Sequence, residues 1–166
     1  MMRMLRGTLS ALVMMSAVAV EAQDTGLPIG TMAPAASLET LTGEAANLSS
    51  VIGGGKPTLI EFWATWCSNC RDLEPALVAA QRSYGDRVRF VAVAVSVNQS
   101  SERVRRYVTE HLQDFTHFYD RRGTAVANYD VPATSYVVIL DKDGKIVYGG
   151  VGGDQNIARA LAAALR

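Results

Sequence analysis

The chain has only two cysteines and two histidines among its 166 residues. That scarcity excludes a scaffold of several disulfides. It also excludes a structural zinc site, because one vicinal cysteine pair and the distant His111 and His117 do not supply a second cysteine pair. Charge of one sign is missing too, since 16 lysines and arginines balance 16 aspartates and glutamates. Such a chain offers no field to steer nucleic acid or an anionic membrane surface toward it. There is no internal repeat and no low-complexity tract. Gly53-Gly54-Gly55 lacks both a preceding strand and the Lys-Ser/Thr of a phosphate loop, so it is a flexible connection.

No uncharged, mostly apolar run is longer than the one at the N-terminus. Arg3 and Arg6 precede an uncharged, mostly apolar run from Gly7 to Val20, which ends in Val20-Glu21-Ala22 with small residues where a signal peptidase reads. Residues 1–22 are therefore expected to be a secretory signal peptide and residues 23–166 a single domain. The run is shorter than the roughly 20 residues a spanning helix needs, which favours export over a retained anchor.

What is present is concentrated in FWATWCSNC, where Phe62 to Trp66 lead into Cys67 and Cys70. On the first turn of a helix, positions i and i+3 bring Cβ atoms to roughly 5–6 Å. A disulfide wants Cα atoms about 4.4–6.8 Å apart, so this pair can open and close with little backbone movement. The following segment, Arg71 to Gln81, is rich in helix formers and places Leu73, Leu77 and Ala80 at helical spacing. Cys67 then stands at a helix N-terminus, where free N–H groups and the positive end of the dipole stabilise its thiolate. Cys67 is the expected nucleophile, and Cys70, one turn in and more enclosed, the resolving thiol. An inert bridge closing so small a loop would constrain the unfolded chain little, which argues for redox chemistry.

Thr58 to Ala64 is a near-continuous apolar run, as in a strand covered on both faces, and Glu61 interrupts it. Burial would disfavour its charged form and raise its pKa, making it a proton acceptor for Cys70. The plainer alternative is a glutamate facing solvent. Val88 to Val97 is the second central strand, parallel to the first because a helix connects them, and it offers no lysine to pair with Glu61. Glu102 to Leu112 has helical periodicity, with His111 on the apolar stripe as a packing residue and Arg103, Arg105 and Arg106 on a solvated face. His117, in the strand Phe115 to Tyr119, has no evident partner. Strands near Ser37–Leu41 and Ala45–Leu48 form an early hairpin. Later come a short helix at Gly123–Tyr129 and strands at Thr134–Asp141 and Lys145–Val151 around Lys142-Asp143-Gly144. A final helix, Asn156 to Arg166, is capped by Asp154.

FWATWCSNCRDLEP resembles the active-site segment of thioredoxin-fold proteins, and FWATWC in particular is similar to exported TlpA/ResA-like thiol-disulfide oxidoreductases. Pro75, five residues after Cys70, falls where that fold carries a helix-kinking proline. Val131-Pro132-Ala133-Thr134 resembles its cis-proline segment, and Asp141 to Val147 its late hairpin. The resemblance spans about residues 27–166. It implies an α/β thioredoxin fold, a central mixed β-sheet flanked by helices, with an N-terminal β-hairpin extension. It further implies a cis Val131–Pro132 bond facing the cysteines, with the Val131 backbone holding an extended substrate segment by strand addition. Trp66 would shape the approach, unless it is simply a packing aromatic. Glu61 stands where thioredoxins carry a buried aspartate.

The activity implied is periplasmic, or otherwise exported, thiol-disulfide exchange on protein substrates by a monomer, with no metal or organic cofactor. Reduction is the favoured direction, with electrons from a membrane thiol carrier, in cytochrome c maturation or copper-site assembly. One departure is Ser68-Asn69, which lacks the proline many relatives have beside the second cysteine. Hydrogen bonds from either side chain to sulfur would stabilise a thiolate and favour an oxidising or isomerising protein. Two other classes are weaker. A peroxidase of the peroxiredoxin type needs a Pro-x-x-x-Thr-x-x-Cys pattern, and those positions hold Ile60 and Ala64. A copper-delivering metallochaperone would need His111 or His117 to join Cys67 and Cys70.

Overall fold

The computed structural model describes residues 26–166, so the signal peptide expected at 1–22 lies outside the described residues. Short N-terminal strands β1 (Ser37–Glu39) and β2 (Ala45–Asn47) form the hairpin, followed by a 3-10 turn at Leu48–Val51. The order continues β3 (Thr58–Trp63), α1 (Ser68–Tyr84), β4 (Arg89–Val95), α2 (Ser101–Val108), β5 (Thr116–Asp120) and α3 (Thr124–Asn128). It closes with β6 (Tyr136–Leu140), β7 (Ile146–Val151) and α4 (Ile157–Ala164). One sheet runs β2-β1-β5-β4-β3-β6-β7. The β3–β4 and β4–β5 pairs are parallel, and the others are antiparallel. This is the mixed sheet with a hairpin extension expected from the sequence.

Alternation along the central strands divides the core into two layers. Leu59 and Trp63 of β3, Ala92 and Ala94 of β4, and Val137 and Ile139 of β6 pack with Leu73 and Leu77 of α1, Val104 of α2, and Ile157 and Leu161 of α4. Ile60 and Phe62, Val91 and Val93, and Tyr136 and Val138 face the other way, toward Leu48, Ala125 and Tyr129. Every residue of β3 is buried, which accounts for its mostly apolar character, broken within the strand by Glu61. The end of the sheet that carries the Cys-x-x-Cys motif is thus set by β3, which leads into it, and α1, which is anchored through Leu73 and Leu77.

Three local expectations change. α2 ends at Val108 rather than Leu112: the Thr109 hydroxyl donates to the Arg106 carbonyl at 2.7 Å, and Leu112 adopts φ 51°. The chain therefore folds back, placing His111 over Tyr107. The final helix is capped not by Asp154 but by Asn156, whose side chain accepts the Arg159 N–H at 3.0 Å. The third change concerns Pro132 and belongs to the site.

A cysteine pair at a helix start, backed by a buried carboxyl

Cys67 is the N-cap of α1, with φ −78° and ψ 114°. Its N–H bonds back to the Ala64 carbonyl at 3.1 Å, and its sulfur accepts the Cys70 N–H at 3.1 Å. Sulfur here does what a serine or aspartate oxygen does at an ordinary N-cap. That favours negative charge on this sulfur. Cys67 and Cys70 are joined as a disulfide with Cα atoms 5.3 Å apart, within the geometry one helical turn provides. Cys70 is not the more enclosed of the two, as the sequence suggested: Cys67 is 4% exposed and Cys70 6%. Both are buried, and what distinguishes them is position, at the cap and inside the first turn. Ser68 and Asn69 are exposed. The hydrogen bond to the Cys67 sulfur comes from backbone, not from their side chains.

Trp66 is 42% exposed, so it is not a buried packing aromatic. Its indole N–H donates to the Val97 carbonyl at 2.8 Å, which lays the ring beside the motif. Sequence reasoning missed Gln99. Its side chain accepts the Thr65 N–H at 2.9 Å and donates to the Val95 carbonyl at 2.6 Å, while its own carbonyl accepts the Tyr119 hydroxyl at 2.8 Å. The loop after β4 thereby clamps the two residues ahead of Cys67. A polar residue just past a buried strand carries no periodic signal, so nothing in the sequence marked it.

Glu61 is buried, on the face of β3 shared with Leu59 and Trp63 and turned toward α1. Its neighbours across the sheet are Ala92 and Val137, and neither carboxyl oxygen has a hydrogen-bond partner. Burial, with a smaller push from the charge of Glu74, raises its pKa from 4.5 to about 8. The solvent-facing alternative is excluded. Trp63 Nε1 and Thr65 Oγ1 are also buried without partners, so polar atoms continue from Glu61 along the strand toward the motif.

The histidines find partners that sequence could not supply. His111 Nδ1 lies 2.9 and 3.0 Å from the two carboxylate oxygens of Glu74, and its ring stacks on Tyr107. His117 Nε2 donates to the Leu112 carbonyl at 2.9 Å, and burial, partly opposed by that bond, lowers its pKa. Among the described residues no group of three His, Cys, Asp or Glu side chains could hold a metal ion.

The expected cis Val131–Pro132 bond is absent: no peptide bond among the described residues is cis. Pro132 does not open a strand. Asp130 turns the chain at φ 48°, the Val131 N–H is spent on the Val126 carbonyl at 3.0 Å, and Val131 packs against the core layer facing away from the cysteines. The chain crosses to β6 three residues later. There the buried Ser135, at φ 61°, donates its N–H to the Phe62 carbonyl at 2.9 Å and accepts the Gly152 N–H on its hydroxyl at 3.0 Å. Gln155 Nε2 donates to the Ser135 and Gly152 carbonyls at 2.9 and 2.7 Å. Pro132 and Ala133 stay exposed on the approach to β6. This is the sheet end that carries the motif, since β6 begins opposite Phe62.

A mixed sheet, a helix started by a Cys-x-x-Cys disulfide and a buried acid behind it define a thiol-disulfide oxidoreductase of the thioredoxin-like class. The chain belongs to the AhpC/TSA family, which matches residues 29–149. It is 36% identical over 125 residues to the thioredoxin-like protein YneN of Bacillus subtilis, covering 75% of this chain and 72% of that one. It is 35% identical over 91 residues to a thiol:disulfide interchange protein TxlA homolog of Synechocystis, covering 55% of this chain and half (50%) of that protein's length. Among solved structures it is similar to a Chlorobium tepidum protein described as a thiol:disulfide interchange protein DsbE. That match has TM-score 0.74 and 26% identity, and covers 84% of this chain and 99% of that one. The thioredoxin fold and the exchange activity expected from FWATWC are both supported by these relatives.

Proposed function

We propose that the protein is an exported reductase of protein disulfides, working as a monomer. The observation that carries the chemistry is the Cys67 sulfur held at the N-cap of α1 by the Cys70 amide, with the unpaired Glu61 carboxyl buried behind. In the reduced protein the Cys67 thiolate attacks one sulfur of a substrate disulfide. The substrate S–S bond breaks, a mixed disulfide forms, and the first substrate thiolate leaves. Cys70 passes its proton to the Glu61 carboxylate and attacks the Cys67 sulfur, which frees the second substrate thiolate and closes the Cys67–Cys70 bond. Two electrons pass from the dithiol to the substrate. A pKa of about 8 for Glu61 leaves about one molecule in ten with the carboxylate form at neutral pH, so the reductive step accelerates as pH rises toward that value.

The substrate segment lies beside the exposed Trp66 and runs along Pro132 and Ala133. The Val131 amide contributes nothing to this docking, because it is already bonded. Export rests on the Arg3, Arg6 and Gly7–Val20 pattern, and reoxidised protein is returned to the dithiol by a membrane thiol carrier. Reduction of apocytochrome c cysteines or of copper-site cysteines is the task we assign. The test is trapping: a Cys70→Ser variant incubated with an oxidised protein substrate accumulates a mixed disulfide through Cys67, and Cys67→Ser accumulates none. No adduct with Cys70→Ser would sink the assignment of the nucleophile. Cytoplasmic retention of the full-length chain would sink export.

A further inference from the structure

His111 and Glu74 form a polar pair that the exchange chemistry does not itself use. Glu74 lies on α1 one turn beyond Cys70, and His111 Nδ1 donates to both of its carboxylate oxygens, at 2.9 and 3.0 Å. The pair is partly buried and braced from beneath. The His111 ring lies flat on Tyr107, with centroids 3.9 Å apart and planes 11° from parallel, and Tyr107 in turn leans on Trp63 at 5.3 Å. Trp63 and Glu61 are two residues apart on β3 and so share the face covered by α1. A continuous run of contacts therefore joins His111 to the strand that carries the buried acid. After burial itself, Glu74 is the group that acts on Glu61.

We propose that Glu74 and His111 are positioning residues of the redox site. His111 fixes and screens the Glu74 carboxylate, and through that charge the pair sets the pH at which Glu61 becomes a base for Cys70. The inference rests on the role given to Glu61 above. Two carboxylates in one poorly solvated region oppose each other's ionisation. A hydrogen-bond donor at Nδ1 weakens the field of Glu74 at Glu61. Other charges in the neighbourhood are Arg71 and Arg82 of α1, which border the same hollow as Glu74 and His111, and Glu110 and Asp114 beside them. Burial, and after it the charge of Glu74, raise the pKa of the Tyr107 hydroxyl, which Arg71 opposes and Glu61 adds to. The register partners of Glu61 across the sheet are Ala92 of β4 and Val137 of β6, and neither carries a charge. Glu74 is thus the anion through which His111 reaches the acid.

Infrared difference spectroscopy of the oxidised protein tests this by following the carboxyl band of protonated Glu61, identified by its loss in Glu61→Gln. His111→Ala, which bares Glu74, is expected to move the band's midpoint up by about one pH unit, and Glu74→Gln to move it down by about as much. In the Glu74→Gln background, His111→Ala is expected to move nothing. His111→Gln, which keeps a donor and preserves more of the packing, falls between His111→Ala and the parent. The pH dependence of single-turnover reduction of a protein disulfide shifts in step. Midpoints unchanged in both single variants, or shifts of the same sign in both, overturn the proposal. So does an effect of His111→Ala that survives without Glu74. A Glu61→Gln protein whose rate keeps the parent pH dependence overturns the underlying role of Glu61. If that dependence changes while the His111 and Glu74 variants leave it alone, only the positioning inference falls.

Discussion

Replacing Glu61 by glutamine should flatten the pH dependence of stability. Burial and Glu74 hold the native carboxyl at about 8, against 4.5 in the unfolded chain. Below the lower value both states are protonated and the group costs nothing by ionising. Between the two values the native state binds one proton more than the unfolded chain, so stability falls as pH rises, by about 1.4 kcal/mol per unit. Above the native value both states are ionised, and the full cost of the buried, unpaired carboxylate is present. From about pH 5 to 7.5 the parent should thus lose about 3 kcal/mol that Glu61→Gln does not lose. Glutamine keeps an unmet polar group in the same place, so the slope with pH is informative where the absolute stability is not. Urea titrations of the oxidised protein at half-unit pH steps measure it. With a denaturant slope of about 1–3 kcal/mol per molar urea, the difference between the two midpoints changes by about 1–3 M over that range. Parallel pH profiles for parent and variant would refute the buried, unpaired carboxyl.

Three further outcomes follow from the geometry. Gln99→Ala leaves the Thr65 N–H and the Val95 carbonyl unpaired; thermal unfolding should show a loss of about 1–3 kcal/mol, together with slower exchange. Gly153→Ala would put a Cβ 2.8 Å from Asp72 Cβ and 3.0 Å from the Asn69 carbonyl oxygen. It should cost about 1–3 kcal/mol and shift the amide resonances of Ser68 to Cys70, and unmoved resonances would contradict that contact. Trp66→Ala removes an exposed apolar surface next to Cys67, so KM for a protein disulfide should rise about tenfold while the rate with a small aromatic disulfide stays near the parent's. Equal loss with both substrates would show that Trp66 shapes the cysteines instead of the docking surface.

The redox motif and the central strands were legible because their signals are local. An apolar run covered on both faces can only be an interior strand, and two cysteines one helical turn apart state their own geometry. Glu61 was legible by contrast, as a lone charge inside that run. Gln99 and the Glu74–His111 pair were not, because each depends on where a loop or a helix end returns in space. The early stop of α2 at Val108 is what brings His111 onto Tyr107, and helical periodicity running on to Leu112 concealed it. Pro132 misled for a related reason. Its neighbours look like a strand start, but the turn into β6 is made by Ser135 in a left-handed conformation, and a serine gives no advance sign of it. The strands and helices thus followed from hydrophobic pattern and the fold from the resemblance carried by FWATWCSNC, whereas the surroundings of the acid depend on tertiary contacts.

The equilibrium of the Cys67–Cys70 pair against defined thiol-disulfide buffers tests the reductase assignment most directly, on the domain lacking residues 1–22. A single two-electron transition near the thioredoxin value, about −270 mV, is the predicted result. A potential above about −150 mV would make the protein an oxidant or isomerase, and the absence of any reversible two-electron transition would contradict the exchange chemistry itself.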